Sequence, residues 1–274
     1  MAAHKGYVEI CRLILDNVEE KNPPGIHNNT PLHYAASGGH YDAYKIIMDQ
    51  VQNKNPARNK GFTPLHNAAN HGYADICKLI MDHVEDKNPK AENGFTPLHG
   101  AARMGHRQVC RLIIENVEDK NPKDNEGHTP LHSAADRADY ELCDLIIQNV
   151  EDKNPANLNG WTPLHYASLY GHVNICRLII NHKDVTSKNP ANNDGNTPLH
   201  NAADEGRLEI CELLMAHKVD TKVRNRNGKT PLDLAKHRLE VCNWRIEGPG
   251  AKGQMSEIVK LLQKFEFKER LSKF

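Results

Sequence analysis

The sequence predicts an all-α fold, built as a stack of repeated helical units and not as conventional globular domains. Three observations carry this. The tetrapeptide Thr-Pro-Leu-His recurs at Thr30, Thr63, Thr96, Thr129, Thr162 and Thr197, and Thr230-Pro231-Leu232-Asp233 is a seventh copy with one change. The step from one copy to the next is constant, except between Thr162 and Thr197, where it is slightly longer. After each copy, apolar residues return at spacings of three and four, the period of an amphipathic helix. A fixed period of this length belongs to units too small to bury a core alone, which stack on their neighbours instead.

Taken in order, the elements begin with Ala2-Ala3-His4-Lys5-Gly6, which matches the end of a first helix. Residues 1–24 therefore read as a partial repeat, expected from a larger protein that has been trimmed. Six full units follow over 25–229. In the unit at Thr129, the threonine hydroxyl is placed to cap a helix, and Pro130 suits a first turn that needs no amide donor. Leu131, Ala134 and Ala135 give this short helix a narrow apolar face. A turn glycine comes next in most units, at Gly39, Gly72, Gly105, Gly171 and Gly206; Ala138 stands there instead in one, which predicts a strained or altered turn.

A second helix carries Leu142, Cys143, Leu145, Ile146 and Ile147, matched one unit later by Ile175, Cys176, Leu178, Ile179 and Ile180. An Asn-Pro linker then leads through a hairpin-like turn that ends in Gly61, Gly94, Gly127, Gly160, Gly195 or Gly228. Asn28 replaces that glycine at one hairpin, and asparagine tolerates the left-handed region. Residues 230–274 diverge. An insertion occupies the stretch near 236–252, and the turn glycine is expected at Gly253. Ser256–Leu262 restores the second-helix pattern, with Phe265, Phe267, Leu271 and Phe274 extending it, so this segment reads as a cap.

Thr-Pro-Leu-His, the following Ala-Ala pair, the Gly-His turns (Gly39-His40, Gly105-His106, Gly171-His172), the Ile-Cys-Arg-Leu-Ile-Ile helix and the glycine two residues before each Thr resemble the ankyrin repeat. The resemblance covers nearly the whole chain. It implies a solenoid of about seven to eight units, with stacked antiparallel helix pairs and projecting β-hairpin-like loops. It also implies protein–protein recognition as the usual task. The chain departs from the family at Val18, Val51, Val84, Val117 and Val150, where members usually have Gly. The second helix is expected to end there by another route, with Asn116 and Asn149 as the residues to do it. Two extra residues around Asn181–Ser187 predict a kink.

Bulk properties exclude several classes. Lys and Arg total 35, as do Asp and Glu. From His217 onward basic residues outnumber acidic ones two to one, a surplus that the chain before His217 cancels. Neither imbalance demands a polyanionic partner, so nucleic acid is not expected. No run reaches the roughly 18 apolar residues of a membrane span, and no secretory signal opens the chain. Cys11, Cys77, Cys110, Cys143, Cys176 and Cys211 share one repeat position, where the second unit has Tyr44. Equivalent helices should pack about 8–10 Å apart, too far for disulfides. These residues read as reduced core thiols in an intracellular protein, cytoplasmic or nuclear.

Catalytic and cofactor readings find no support. Gly248-Pro249-Gly250-Ala251-Lys252-Gly253 fits a dinucleotide glycine pattern, but too little chain follows for the sheet that the motif needs. The motif histidines His33, His66, His99, His132, His165 and His200 suit hydrogen bonds to adjacent loops better than metal ligation, for which no ligand cluster exists. No cofactor, metal or catalytic group is expected.

Binding information is therefore sought where the repeats differ. A partner protein or peptide is expected on the concave face that the family resemblance implies, with the chain itself monomeric. Before each Thr, and around the first helix, lie Tyr34, Phe62, His71, Phe95, Arg103, Met104, His128, Arg137, Trp161, Tyr166 and Tyr170. Exposed aromatic and Arg side chains tend to dominate binding energy. The alternative is that Phe62, Phe95 and Trp161 only pack hairpins together. Asn55, Asn88, Asn121 and Asn154 occupy the position that, by family resemblance, asparaginyl hydroxylases modify. A competing class is a regulatory or targeting segment of a larger enzyme or signalling protein.

Overall fold

Each Thr-Pro-Leu-His segment starts a helix whose first amides are all accounted for. Proline at the first helical position has no N–H to satisfy. The next amide, that of Leu32, Leu65, Leu98, Leu131, Leu164 or Leu199, donates to the side-chain Oδ1 of an asparagine ten residues upstream, at 2.9–3.1 Å. At the third position, His99 N and His200 N donate to the hydroxyls of Thr96 and Thr197. The motif histidine closes the box, its Nδ1 accepting from the Thr backbone N–H at 3.1–3.2 Å. Histidine thus takes the place of the Glu or Gln of the usual capping box.

The computed structural model describes residues 2–242 and 249–271, with side chains placed over 2–241 and 252–267. Phe274 and Gly248 lie outside the described residues, as does the side chain of Leu271. The described chain is helical, with no strand among these residues. It forms two compact units, Met1–Arg137 and Ala138–Phe274.

The first unit contains α1 (Ala2–Lys5), α2 (Val8–Asn17), α3 (Pro31–Gly38), α4 (Tyr41–Asp49), α5 (Pro64–His71), α6 (Ala74–Met81), α7 (Pro97–Met104), α8 (Arg107–Ile114) and α9 (Pro130–Asp136). First helices pack in the order α1, α3, α5, α7, α9, and second helices in the order α2, α4, α6, α8. The narrow face is fully buried at Leu32, Ala35, Ala36, Leu65, Ala68 and Ala69. On the second helices, Ile76, Cys77, Ile80, Ile113 and Cys110 are buried. Tyr44 fills the cysteine position of α4 and donates its hydroxyl to Lys54 O at 2.7 Å.

The second unit contains α10 (Tyr140–Asn149), α11 (Pro163–Tyr170), α12 (Val173–Asn181), α13 (Pro198–Asp204), α14 (Leu208–Ala216), α15 (Pro231–Cys242) and α16 (Pro249–Leu271). Packing here runs α11, α13, α15 for first helices and α10, α12, α14, α16 for second helices. The expected kink at Asn181–Ser187 does not develop. His165 Nε2 still meets Asn196 O at 3.1 Å, and Asn193 N still donates to Asn159 O at 3.0 Å, the geometry of the regular intervals. The extra residues are taken up in the loop, where Val185 is buried.

The hairpins are tight loops. Arg58 N donates to Phe62 O, Ala91 N to Phe95 O, and Asn157 N to Trp161 O, all at 2.8 Å. The loop glycines have φ near +70 to +77°, and Asn28, as expected, adopts φ +58°. Gly94 has a second reason to lack a side chain, because its Cβ would meet Asn125 N at 2.7 Å. Neighbouring hairpins bond to one another through Glu92 N to Lys60 O at 3.0 Å and Asn125 N to Asn93 O at 2.9 Å. Ala138 holds the strained turn that its position predicts, with φ +61°.

The ends of the second helices bring a device beyond the expected asparagines. Asn116 and Asn149 do donate back to Leu112 O and Leu145 O, at 2.9 and 2.8 Å. In addition, the lysine of the Val-x-x-Lys segment folds over the terminal carbonyls: Lys54 Nζ donates to Met48 O and Val51 O, and Lys153 Nζ to Ile147 O and Val150 O. Lys153 is only 9% exposed. A cation over the last carbonyls completes the helix end and opposes its dipole, which removes the need for glycine.

The C-terminal segment corrects one expectation. Gly253 is not a turn residue; it lies inside α16. Met255, Ile258 and Leu262 are buried at spacings of three and four, and the helix that carries them starts earlier than the repeat pattern implies. Gly253 faces open space.

Candidate functional site

In the first unit, the residue before each Thr has its backbone fixed and its side chain turned outward. His33 Nε2 bonds to Phe62 O at 3.2 Å, His66 Nε2 to Phe95 O at 3.1 Å, and His99 Nε2 to His128 O at 3.1 Å. Since Nδ1 accepts from an amide and Nε2 faces a carbonyl, the neutral Nε2–H tautomer fits both bonds. Burial holds His33 and His66 neutral, pushing the imidazole pKa down to about 4, and it lowers that of His99. These rings are structural bridges between successive repeats within this unit.

Phe62 and Phe95 are half-buried, with ring centroids 6.3 Å apart. Each ring also packs on the motif histidine behind it, at 5.1 and 5.2 Å. The outer faces meet cations: Arg58 Cζ lies 5.0 Å from the Phe62 centroid, and Arg103 Cζ 6.0 Å from that of Phe95. A cleft of about 240 Å³ opens here, lined by both arginines, both phenylalanines, His66 and the amides of Asn67, Asn70 and Asn93. The same two rings thus pack on the histidines behind them and line an open cleft.

The other expected residues of the first unit do not line this cleft. Tyr34 (37% exposed) stands edge-on to His4, and Met104 is 44% exposed. His71 is exposed, stacks on Tyr73 at 6.0 Å and bonds to Asn67 O. His128 sits between acids, 3.6 Å from Glu126 Oε2 and 3.9 Å from Asp124 Oδ1. Arg137 lies over the turn at Gly105, where it helps to cover the backbone. In the second unit, Trp161 is half-buried against Tyr166 at 5.2 Å and His165 at 5.6 Å, while Tyr170 is exposed and stacks on His172 at 6.0 Å.

Arg58 is the residue that sequence reasoning passed over. Its equivalents Asp124, Asn157, Asn192 and Asn225 each accept an N–H of their own hairpin through Oδ1, at 2.8–3.0 Å. An arginine in an Asp/Asn position was the signal available. Asn55, Asn88, Asn121 and Asn154 share one setting, with Oδ1 bound to the leucine amide of the next helix.

The six in-phase cysteines are buried, and none of them forms a disulfide. Burial pushes the thiols of Cys77, Cys176 and Cys211 up to about 12, and raises those of Cys11 and Cys143. Thiols held protonated in this way are poor nucleophiles. Among the described residues no three His, Cys, Asp or Glu side chains converge to hold a metal ion, and no helix is long and apolar enough to cross a membrane.

No curated protein matches the chain. A family model for ankyrin repeats in three copies matches residues 1–58, 48–124, 72–156 and 116–189, and one for ankyrin repeats in many copies matches 189–235. With the capped helix pairs and stacked hairpins described above, these matches, which run over most of the sequence, show that the chain belongs to the ankyrin-repeat family.

Proposed function

We propose that the protein is a non-catalytic scaffold that holds a partner protein through its hairpin ends and first-helix face. Ankyrin repeats are in general protein-interaction modules. The observation that carries the reading is the Phe62–Phe95 pair, flanked by Arg58 and Arg103 and set in a cleft. Aromatic and Arg side chains on a rigid backbone are the usual anchors of an interface. In the second unit, Trp161, Tyr166 and Tyr170 are proposed to serve the same purpose.

Two double variants test this, Phe62→Ala with Phe95→Ala and Trp161→Ala with Tyr170→Ala. Each is compared with the parent by affinity capture and by thermal melting. At least one pair should lose captured proteins while melting stays within a few degrees. An unchanged partner profile with intact folding of both would overturn the reading.

Asn55, Asn88, Asn121 and Asn154 are proposed as the residues that an asparaginyl hydroxylase would meet, because their identical settings present it with one repeated target. Peptide masses of protein incubated with such an enzyme should show added single oxygens at these sites. Unmodified peptides would count against it.

A further inference from the structure

We propose that the cleft between Arg58, Phe62, Phe95 and Arg103 receives an Asp or Glu side chain from an extended acidic segment of a partner protein. This rests on the interaction role above and specifies its chemistry.

The Nε of Arg58 is buried and has no hydrogen-bond partner among the described residues. A guanidinium N–H removed from water without an acceptor is costly, and a carboxylate satisfies the planar fork with two parallel bonds. Among the described residues neither Arg58 nor Arg103 is held by an acid, whereas Arg238 is paired with Glu205 at 3.1 Å and Arg177 with Glu209 at 3.9 Å. Both cleft arginines rest on aromatic faces instead, which orients the planes and leaves their edges to bond elsewhere.

At the Arg58 position, four other hairpins use Asp or Asn to accept their own backbone amide. Arg58 gives up that closure and puts a positive charge in its place. With Lys60 on the same hairpin, it makes a cationic spot in the part of the chain before His217, which is net acidic. The field of Arg58 also reaches inward, opposing protonation of His33 and His66.

The cleft suits a peptide better than a bare oxyanion. The cleft wall carries amides as well as cations. Asn67 uses Nδ2 to reach His33 O at 3.3 Å, which leaves its Oδ1 as an acceptor; Asn93 uses Oδ1 to accept from Phe95 N at 3.1 Å, which leaves its Nδ2 as a donor. A peptide backbone offers both complements. A fully ionised oxyanion such as sulfate offers acceptors alone.

The test selects a random peptide library displayed on phage against the full chain. Recovered peptides are synthesised and titrated by fluorescence anisotropy. Selected peptides should carry Asp or Glu beside an apolar residue. Replacing that acid by its amide, or Arg58→Gln in the protein, should weaken binding about tenfold or more, and the two changes together should cost little beyond either alone. Arg58→Lys, which keeps the charge but not the fork, should fall between, and Arg12→Gln on α2 should change nothing. Thermal melts of the variants confirm that folding is retained. Peptides that need Phe95 but ignore Arg58 and Arg103 would overturn this inference and leave the binding face standing. Recovered peptides indifferent to both Phe95 and the arginines, or no peptide at all, would overturn both. A phosphoserine peptide binding tenfold tighter than its glutamate counterpart would reassign the cleft to phosphopeptides and overturn the carboxylate reading.

Discussion

Asn88 shows what one side chain does ten residues from its own position. Its Oδ1 accepts the Leu98 amide at 3.0 Å, an amide that the helix itself leaves without a partner. Asn88→Ala should therefore cost about 1–2 kcal/mol in urea denaturation, while Asn88→Asp keeps the acceptor and should cost less. Equal losses from the two would show that the bond is not what holds the residue. The seventh tetrapeptide obeys the same chemistry. Asp233 Oδ2 accepts from Thr230 N at 3.0 Å, as histidine Nδ1 does elsewhere, but a carboxylate has no N–H with which to bridge to a neighbour's carbonyl. Thr and Pro could be read as a cap from the sequence because cap and helix are adjacent. The asparagine and the Lys153 cap could not, since their targets are main-chain atoms that come into reach only on folding.

At the scale of the element, turns and helix ends decide the outcome. Ala138 adopts φ +61° where six other repeats, the partial first one included, have glycine. The left-handed region costs an L-residue about 1–2 kcal/mol, part of which glycine returns through its freer unfolded chain. Ala138→Gly should then stabilise by roughly 0.5–1 kcal/mol, read as a rise in melting temperature. A fall would mean that the alanine methyl group makes compensating contacts. Local chemistry made these turns legible, Asn28 included. Gly253 departs for the opposite reason: the repeat register assigns it to the turn, but tertiary burial of Met255, Ile258 and Leu262 carries α16 through it. Arg58 was missed because a lone cation in a linker looks like solvated surface until its ring partner is in place.

For the whole molecule, the repeated histidines couple stability to pH. Folded-state values for His33, His66 and His165 lie near 4 against 6.5 when free, with burial the largest cause. A depressed histidine favours folding above pH 6.5, and that advantage is lost as pH falls from there towards 4. Each such group contributes about 1.4 kcal/mol per pH unit inside that window. Melting temperature should therefore hold steady from pH 8 to 7 and drop well before carboxylates titrate. A flat profile down to pH 5 would show that these rings are not held neutral.

The Nε2 bridge has a further consequence, for how such a protein can change over time. It grips a main-chain oxygen, and every amino acid has one. Phe62, Phe95 and His128 are held by the same clasp although they share no side-chain chemistry. Novelty at these places is therefore cheap: a residue can be exchanged without renegotiating the architecture around it. The histidine is what makes the neighbouring position free to diversify.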